Sequence, residues 1–262
     1  MKYSIITVSL NPGESLKKTL DSIKAQTYPE YEVIIKDGGS TDNSLAAVPK
    51  DMRYRIIYGT DKGIYDAMNM AVKGAVGDVV IFLNAGDLFY DEHVLEKMTE
   101  KIEKAKLKPP FIAYGDMFSL RANTVVKASS KVTPMVCYNY IACHQATLYS
   151  IDVVRDNPFD IRYKIRADYD LFLKCFFEEK ASFYYLDMPV CKYEGGGYSE
   201  KKDNRERDQK EHEHIVNKYI PRKVIALCRL RLFLTFHKAR SVIAKSRVFG
   251  GVYEKIRRLF TK

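Results

Sequence analysis

Three times in its first ninety residues, the chain runs from a short apolar, β-branched stretch into a loop that combines an acid with glycine. Tyr31–Lys36 stops at Asp37-Gly38-Gly39-Ser40, and Arg55–Tyr58 stops before Asp61-Lys62-Gly63. Asp78–Leu83, the most apolar of the three, ends in Asn84-Ala85-Gly86-Asp87. Helix-spaced apolar residues lie between the strands. Leu16, Leu20 and Ile23 follow the first strand, Tyr3–Ser9, after a break at Asn11-Pro12-Gly13. Further helices are expected over about 64–75 and 91–106. Strand and helix in alternation predict a parallel α/β sheet. In such sheets ligands bind beyond the carboxyl ends of the strands, so sequence order alone sets Asp37, Asp61 and Asp87 along one rim.

The second part of the chain changes character. Phe111–Ser119, Thr124–Ala128 and Ser182–Leu186 read as strands of mixed direction, with one clear helix near Asp168–Phe177. The chain therefore reads as two halves, 1–110 and 111–220, followed by a basic amphipathic tail over 221–262. Glu194 to Ser199 contains Gly195-Gly196-Gly197, a hinge-like run suited to a lid. The charged stretch 200–213 reads as an exposed helix.

Charge separates body from tail. Net charge is +10, yet residues 221–262 carry twelve Lys/Arg against one acid, which leaves the first 220 residues at −1. A neutral body argues against nucleic acid as a partner and for a tail that meets an anionic surface. Val224–Phe236 forms a helix of roughly 20 Å, short of the roughly 30 Å hydrocarbon core, and Arg229 and Arg231 interrupt it. It reads as an amphipathic helix in a membrane interface; the alternative is a cap packed on the body or on a second subunit. Five scattered cysteines without C-x-x-C spacing, and no signal-peptide pattern at the N-terminus, fit a reducing cytoplasm.

Within the acid loops, Asn84-Ala85-Gly86-Asp87 places a carboxylate at the tip of a buried strand. Such a group is poorly solvated unless a cation sits beside it, and a divalent ion bridging diphosphate oxygens supplies that charge. A plain tight turn is the alternative. Thr7-Val8-Ser9, Asp37-Gly38-Gly39-Ser40-Thr41-Asp42, Gly63 to Asn69 and Phe82-Leu83-Asn84-Ala85-Gly86-Asp87, taken in order, resemble the inverting family 2 glycosyltransferases. Asp168-Tyr169-Asp170-Leu171 extends the resemblance to roughly residue 200.

That resemblance implies a GT-A fold, a Rossmann-like mixed sheet flanked by helices. It also implies a nucleotide-sugar donor, by default a UDP-sugar, and a glycan or lipid-linked acceptor, as in the non-processive enzymes of surface-polysaccharide synthesis. The donor contacts would fall on Thr7, Ser9, Asp37, Gly63, Asn69, Asn84 and Asp87, with Asp37 on the uracil or ribose. Asp87 would be the ligand of Mn or Mg. The usual Asp-x-Asp-Asp here retains only its last acid, and Ala167 replaces the first acid of the Glu-Asp pair that carries the base. Asp168 is the catalytic residue expected from the resemblance. Helical spacing agrees: Asp168 shares a face with Leu171 and Phe172, whereas Asp170 lines up with Lys174 as a solvated ion pair. A helix N-cap is the other reading of Asp168. His144 reads as a core histidine bonded to backbone. A non-catalytic nucleotide-sugar-binding or scaffold protein with a degenerate metal motif is the alternative for the whole chain. An enzyme of this kind would work in the cytoplasm, peripheral at the inner face of the cell membrane.

Overall fold

The computed structural model describes residues 1–139, 142–193 and 202–235. The glycine run 195–197 and the tail beyond 235 lie outside the described residues. The chain runs β1 (Tyr3–Ser9), α1 (Glu14–Lys24), β2 (Tyr31–Asp37), β3 (Tyr54–Tyr58), α2 (Ile64–Val72), β4 (Val79–Phe82), β5 (Leu88–Phe89) and α3 (Val94–Lys104). It continues with β6 (Phe111–Ser119), β7 (Thr124–Val126), α4 (Pro134–Asn139), β8 (Thr147–Ser150), α5 (Ile151–Asp156), α6 (Ala167–Phe177), β9 (Ser182–Tyr193), α7 (Arg205–Tyr219) and α8 (Arg222–Thr235).

One mixed sheet in the order β3-β2-β1-β4-β8-β6-β9-β5 forms the centre, with β7 added to β6. β3, β2, β1 and β4 are mutually parallel, so Ser9, Asp37 and Tyr58 end on the same edge. β8 then joins antiparallel to β4, and β6 antiparallel to β8. The sheet is therefore continuous across residue 110.

The apolar runs are explained by burial on both sheet faces. Every residue of β1 is buried. Alternate side chains feed two cores, as strand geometry requires. Ile6, Val8, Ile34, Val80 and Phe82 pack with α2, α5 and α6. Ile5, Val33, Ile35, Ile81 and Leu83 pack with α1 and α3. α1 buries Leu16, Leu20 and Ile23, the stripe read from the sequence, and Thr19 lies on the same face. α8 buries Ile225 and Cys228 against the body while Leu227, Leu230, Leu232 and Phe233 stay exposed. Its inner side thus caps the body, and an apolar ridge remains outside.

Candidate active site

Each rim loop is built differently. Asp37 is 1% exposed, and its carboxylate turns back on its own loop. Oδ2 accepts from the backbone N–H of Gly39 and Ser40, both at 2.9 Å, and Oδ1 accepts from Ser40 Oγ at 2.5 Å. Asp37 is thereby the turn-former of its loop. It is absent from the lining of the adjacent cavity. Beside it Lys36 is wholly buried, with Nζ donating to the carbonyls of Asp37 (2.9 Å) and Gly59 (2.6 Å) and to Asp61 Oδ2 (3.1 Å). One buried cation thus ties together the ends of β2 and β3 and the start of the Asp61 loop. The sequence reading passed over it; a lysine inside the apolar run Tyr31–Asp37 was the available signal.

The loop after β4 shows the opposite balance. Thr19 Oγ1 donates to Asp87 O (2.9 Å) and accepts from Gly86 N (2.9 Å), so a helix hydroxyl on α1 sets the backbone of the turn. Gly86 has φ 106°, a region that a side chain disfavours. Asn84 Oδ1 is buried without a partner among the described residues, as is Ser9 Oγ. Burial pushes the Asp87 carboxyl up to about 6, opposed only in part by a hydrogen bond from Gln145 and by backbone at Asn84. Among the described residues no cation offsets it. Nor do they contain a cluster of three His, Cys, Asp or Glu side chains that would hold a metal unaided. A buried carboxylate in this state fits a divalent ion where a bound diphosphate supplies most of the oxygen ligands.

A cavity of ≈ 590 Å³ opens beside the Asp61 loop, and neither the 37–42 loop, nor the 84–87 loop, nor Asp168 contributes to its lining. Its floor includes Val8 and Ser9 at the end of β1, and Asp61, Gly63 and Tyr65 at the start of α2. Lys62, Lys164 and Arg207 bring positive charge to its border. Gly63 opens α2 with φ 121°.

Several expected contacts are placed elsewhere. Thr7 is fully buried, and its hydroxyl donates to Leu83 O at 2.8 Å, a tie between β1 and β4 that withdraws the side chain from the cavity. Asn69 corrects the donor-pocket expectation more fully. Its amide brackets the backbone of Phe159, donating to O at 2.8 Å and accepting from N at 2.9 Å. Both ends of the amide are used to hold the loop after α5. Asp170 is 5% exposed and pairs with Lys218 of α7 at 3.0 Å, while Lys174 turns to Asn157 (2.5 Å). The expected pair of Asp170 with Lys174 fails because α7 packs on that face of α6.

Asp168 is the second residue of α6, and Arg166 holds the N-cap position. Its side chain is 20% exposed. Oδ1 accepts from Tyr65 Oη and from Tyr169 N, each at 2.9 Å, and the same tyrosine hydroxyl lies 2.6 Å from Ile165 O. Tyr65 lines the cavity, so one hydroxyl joins the cavity wall to Asp168. From α7, Glu211 accepts from the N–H groups of Lys164, Ile165 and Arg166 at 2.9–3.0 Å, and Asp208 pairs with Arg166 at 2.7 Å. The charged stretch therefore contains an inward clamp, which its composition did not distinguish from a solvated face.

His144 also departs from expectation. It stacks on Phe82 with ring centroids 5.3 Å apart, and neither ring nitrogen has a hydrogen-bond partner among the described residues. Its Nδ1 lies 3.9 Å from Asp168 Oδ2. The next residue, Gln145, reaches Asp87. Neighbouring residues of one turn thus face the two carboxylates singled out from the sequence. His212 and His214 are spent on Tyr138 O (3.0 Å) and the Tyr163 hydroxyl (2.7 Å).

The comparisons with known proteins bear on the family and the fold. The family described as glycosyl transferase family 2 matches residues 4–124. A "PGL/p-HBAD biosynthesis glycosyltransferase" of Mycobacterium tuberculosis is 32% identical over 204 residues, which cover 75% of this chain and 78% of the relative. The amylovoran biosynthesis glycosyltransferase AmsB of Erwinia amylovora is 26% identical over 218 residues, 74% of this chain and 69% of that protein. Among solved structures, S. aureus TarS 1–349 in complex with UDP superposes with a TM-score of 0.67 at 18% identity, covering 94% of this chain and 76% of that one. The mannosyltransferase PcManGT of Pyrobaculum calidifontis, in complex with GDP-Man and Mn2+, gives 0.64 at 16% identity, covering 98% and 80%. The fold is that of the GT-A glycosyltransferases. With the sequence match, the parallel rim and its cavity, the chain is a glycosyltransferase and belongs to glycosyl transferase family 2.

Proposed function

We propose that the protein is an inverting transferase that moves a sugar from a nucleoside diphosphate donor, a UDP-sugar, to a glycan or lipid-linked acceptor in surface polysaccharide or glycolipid assembly. The observation that carries this reading is a cation-bordered cavity whose wall residue Tyr65 holds the Asp168 carboxylate, with the under-partnered Asp87 carboxylate on the same rim of the parallel sheet. A TarS structure in complex with UDP-GlcNAc, at TM-score 0.65 and 18% identity, supports the choice of nucleotide. The names of the mycobacterial relative and AmsB support the choice of pathway class.

In this reading Asp87, with Asn84 beside it, holds one side of a Mn or Mg ion. When bound, the ion stabilises negative charge on the departing diphosphate. Ser9 and Gly63 shape the nucleoside end of the cavity. Asp168 takes the proton of the acceptor hydroxyl as its oxygen attacks the anomeric carbon and the bond to the diphosphate breaks; the proton ends on the carboxyl group. Tyr65 and the α7 clamp hold Asp168 in place.

The tail reading continues as part of the proposal. No helix among the described residues is long and apolar enough to cross a membrane. The exposed ridge Leu227, Leu230, Leu232 and Phe233, set beside Arg229 and Arg231, suits a helix lying on the inner face of the cell membrane.

Calorimetric titration of UDP, with and without manganese, tests the donor site. Manganese-enhanced binding that disappears in Asp87→Ala supports it; equal binding in the variant rejects the role of Asp87. Flotation of the protein with anionic vesicles, before and after removal of residues 221–262, tests the tail. Undiminished flotation of the truncated chain ends that part.

A further inference from the structure

A buried imidazole with no hydrogen-bond partner is costly, and in a well-packed core it calls for an explanation. His144 is such a group: its side chain is 10% exposed, and both ring nitrogens are buried and unpaired among the described residues. Phe82 stacks on one face, and Phe159 meets the ring edge-on at 6.1 Å between centroids. Nδ1 lies 3.9 Å from Asp168 Oδ2. Oδ1 of the same carboxylate is already held twice, by the Tyr65 hydroxyl and by Tyr169 N–H. One oxygen is thus fixed, and the other is the one nearer the imidazole.

We propose that His144 is the positioning residue of Asp168: an imidazole whose Nδ1–H donates to Oδ2, directly or through one water, and keeps the carboxylate oriented toward the acceptor. The separation of 3.9 Å must close by about 1 Å for a direct bond, within the reach of small χ rotations, and a bridging water serves at the present distance. The groups whose charges act here are few. Asp168 is met by Tyr65 from α2, Tyr149 from β8 and His144 from the turn before β8. Among the described residues, Asp168 is the charged group that acts on His144. Burial holds the ring below its usual range and so neutral near pH 7, where it is a donor of one proton and no net charge. A neutral donor favours the ionised form of an acid without itself competing for the proton that the acid accepts.

This inference rests on the reading of Asp168 as the base for its meaning, but its test does not. The full chain is labelled with 13C-aspartate, and the Asp168 carboxyl signal is assigned by its loss in Asp168→Asn. That signal is titrated by NMR in the native protein, in His144→Phe and in His144→Gln. Loss of a hydrogen bond to a charged group moves the Asp168 midpoint up by about one pH unit in His144→Phe. His144→Gln, which retains a neutral N–H, returns at least half of that shift. Coincident midpoints in the native protein and His144→Phe, or a lower one in the variant, overturn the proposal. If His144→Phe fails to fold, the imidazole 15N spectrum of the native chain decides: an Nδ1–H tautomer supports the proposal and an Nε2–H tautomer overturns it. Full transfer activity in Asp168→Asn would remove the base assignment while leaving the titration result standing.

Discussion

Asp37 and Asp87 occupy matching places, each in a glycine-containing loop at the carboxyl edge of the same parallel sheet, and their electrostatic situations are opposite. Asp37 is saturated: three donors from its own loop surround the carboxylate, and Lys36 ties the neighbouring carbonyls. Asp87 is left short of partners, and burial pushes its carboxyl up to about 6. A saturated carboxylate stabilises the fold around it. An under-partnered buried one costs stability, and perturbed acids of this kind cluster at functional sites, which is the ground for proposing Asp87 as a ligand.

The contrast is broken most forcefully at Asp87 itself. Asp87→Asn keeps the shape but removes the charge, and kcat/KM for the donor is expected to fall about 100-fold, the scale seen when one electrostatic stabiliser of a leaving group is lost. Steady-state transfer from UDP-GlcNAc or another accepted donor checks this. Next in size is Lys36→Met. It leaves two carbonyls and Asp61 facing an empty position, and breaking such a buried ionic cluster is expected to cost roughly 3 kcal/mol in denaturant unfolding. Asp37→Asn should cost roughly 1–3 kcal/mol by weakening the hydrogen bonds that close its loop. If Asp37→Asn instead unfolds like the native chain while losing UDP affinity, Asp37 is a donor contact rather than a turn-former.

Asp87→Asn should act in the other direction on stability. A carboxyl raised by folding binds its proton more tightly in the native state than in the unfolded one. Its ionisation therefore removes stability as pH rises from about 4 to about 6. The variant is expected to melt a few degrees above the native protein at pH 7.5, about 1 kcal/mol, and at the same temperature near pH 3.5. Calorimetric scans at the two pH values measure it. The same titration sharpens the ligand side: manganese-dependent UDP binding should be full above pH 7 and decline as pH falls through about 6, because a protonated Asp87 cannot ligate.

What the sequence revealed follows from what it encodes locally. The parallel strands, the α1 stripe and the rim position of the acids depend on periodicity and on loop composition, and both are written in neighbouring residues. Family motifs pointed to Asp87 and Asp168, whose roles are those proposed above. The partners of those acids were illegible because they come from far along the chain. Thr19 reaches the Asp87 turn from α1, 68 residues away, and Glu211 reaches the start of α6 across 45 residues. Asn69 shows the converse error. It lies in a stretch that resembles a donor pocket, but helical rotation aims its amide at Phe159 rather than at the cavity. The Asp170 pairing failed for a similar reason, since i,i+4 spacing describes an isolated helix and α7 covers this one.

The continuity of the sheet has a mechanical consequence. β4 is bonded to β1 on one side and to β8 on the other, so no flexible seam divides the strands that carry the Asp87 loop from those that lead to Asp168. The span between them behaves as a fixed ruler. In the proposed reaction, that ruler dictates how far from the departing diphosphate an acceptor must present its hydroxyl.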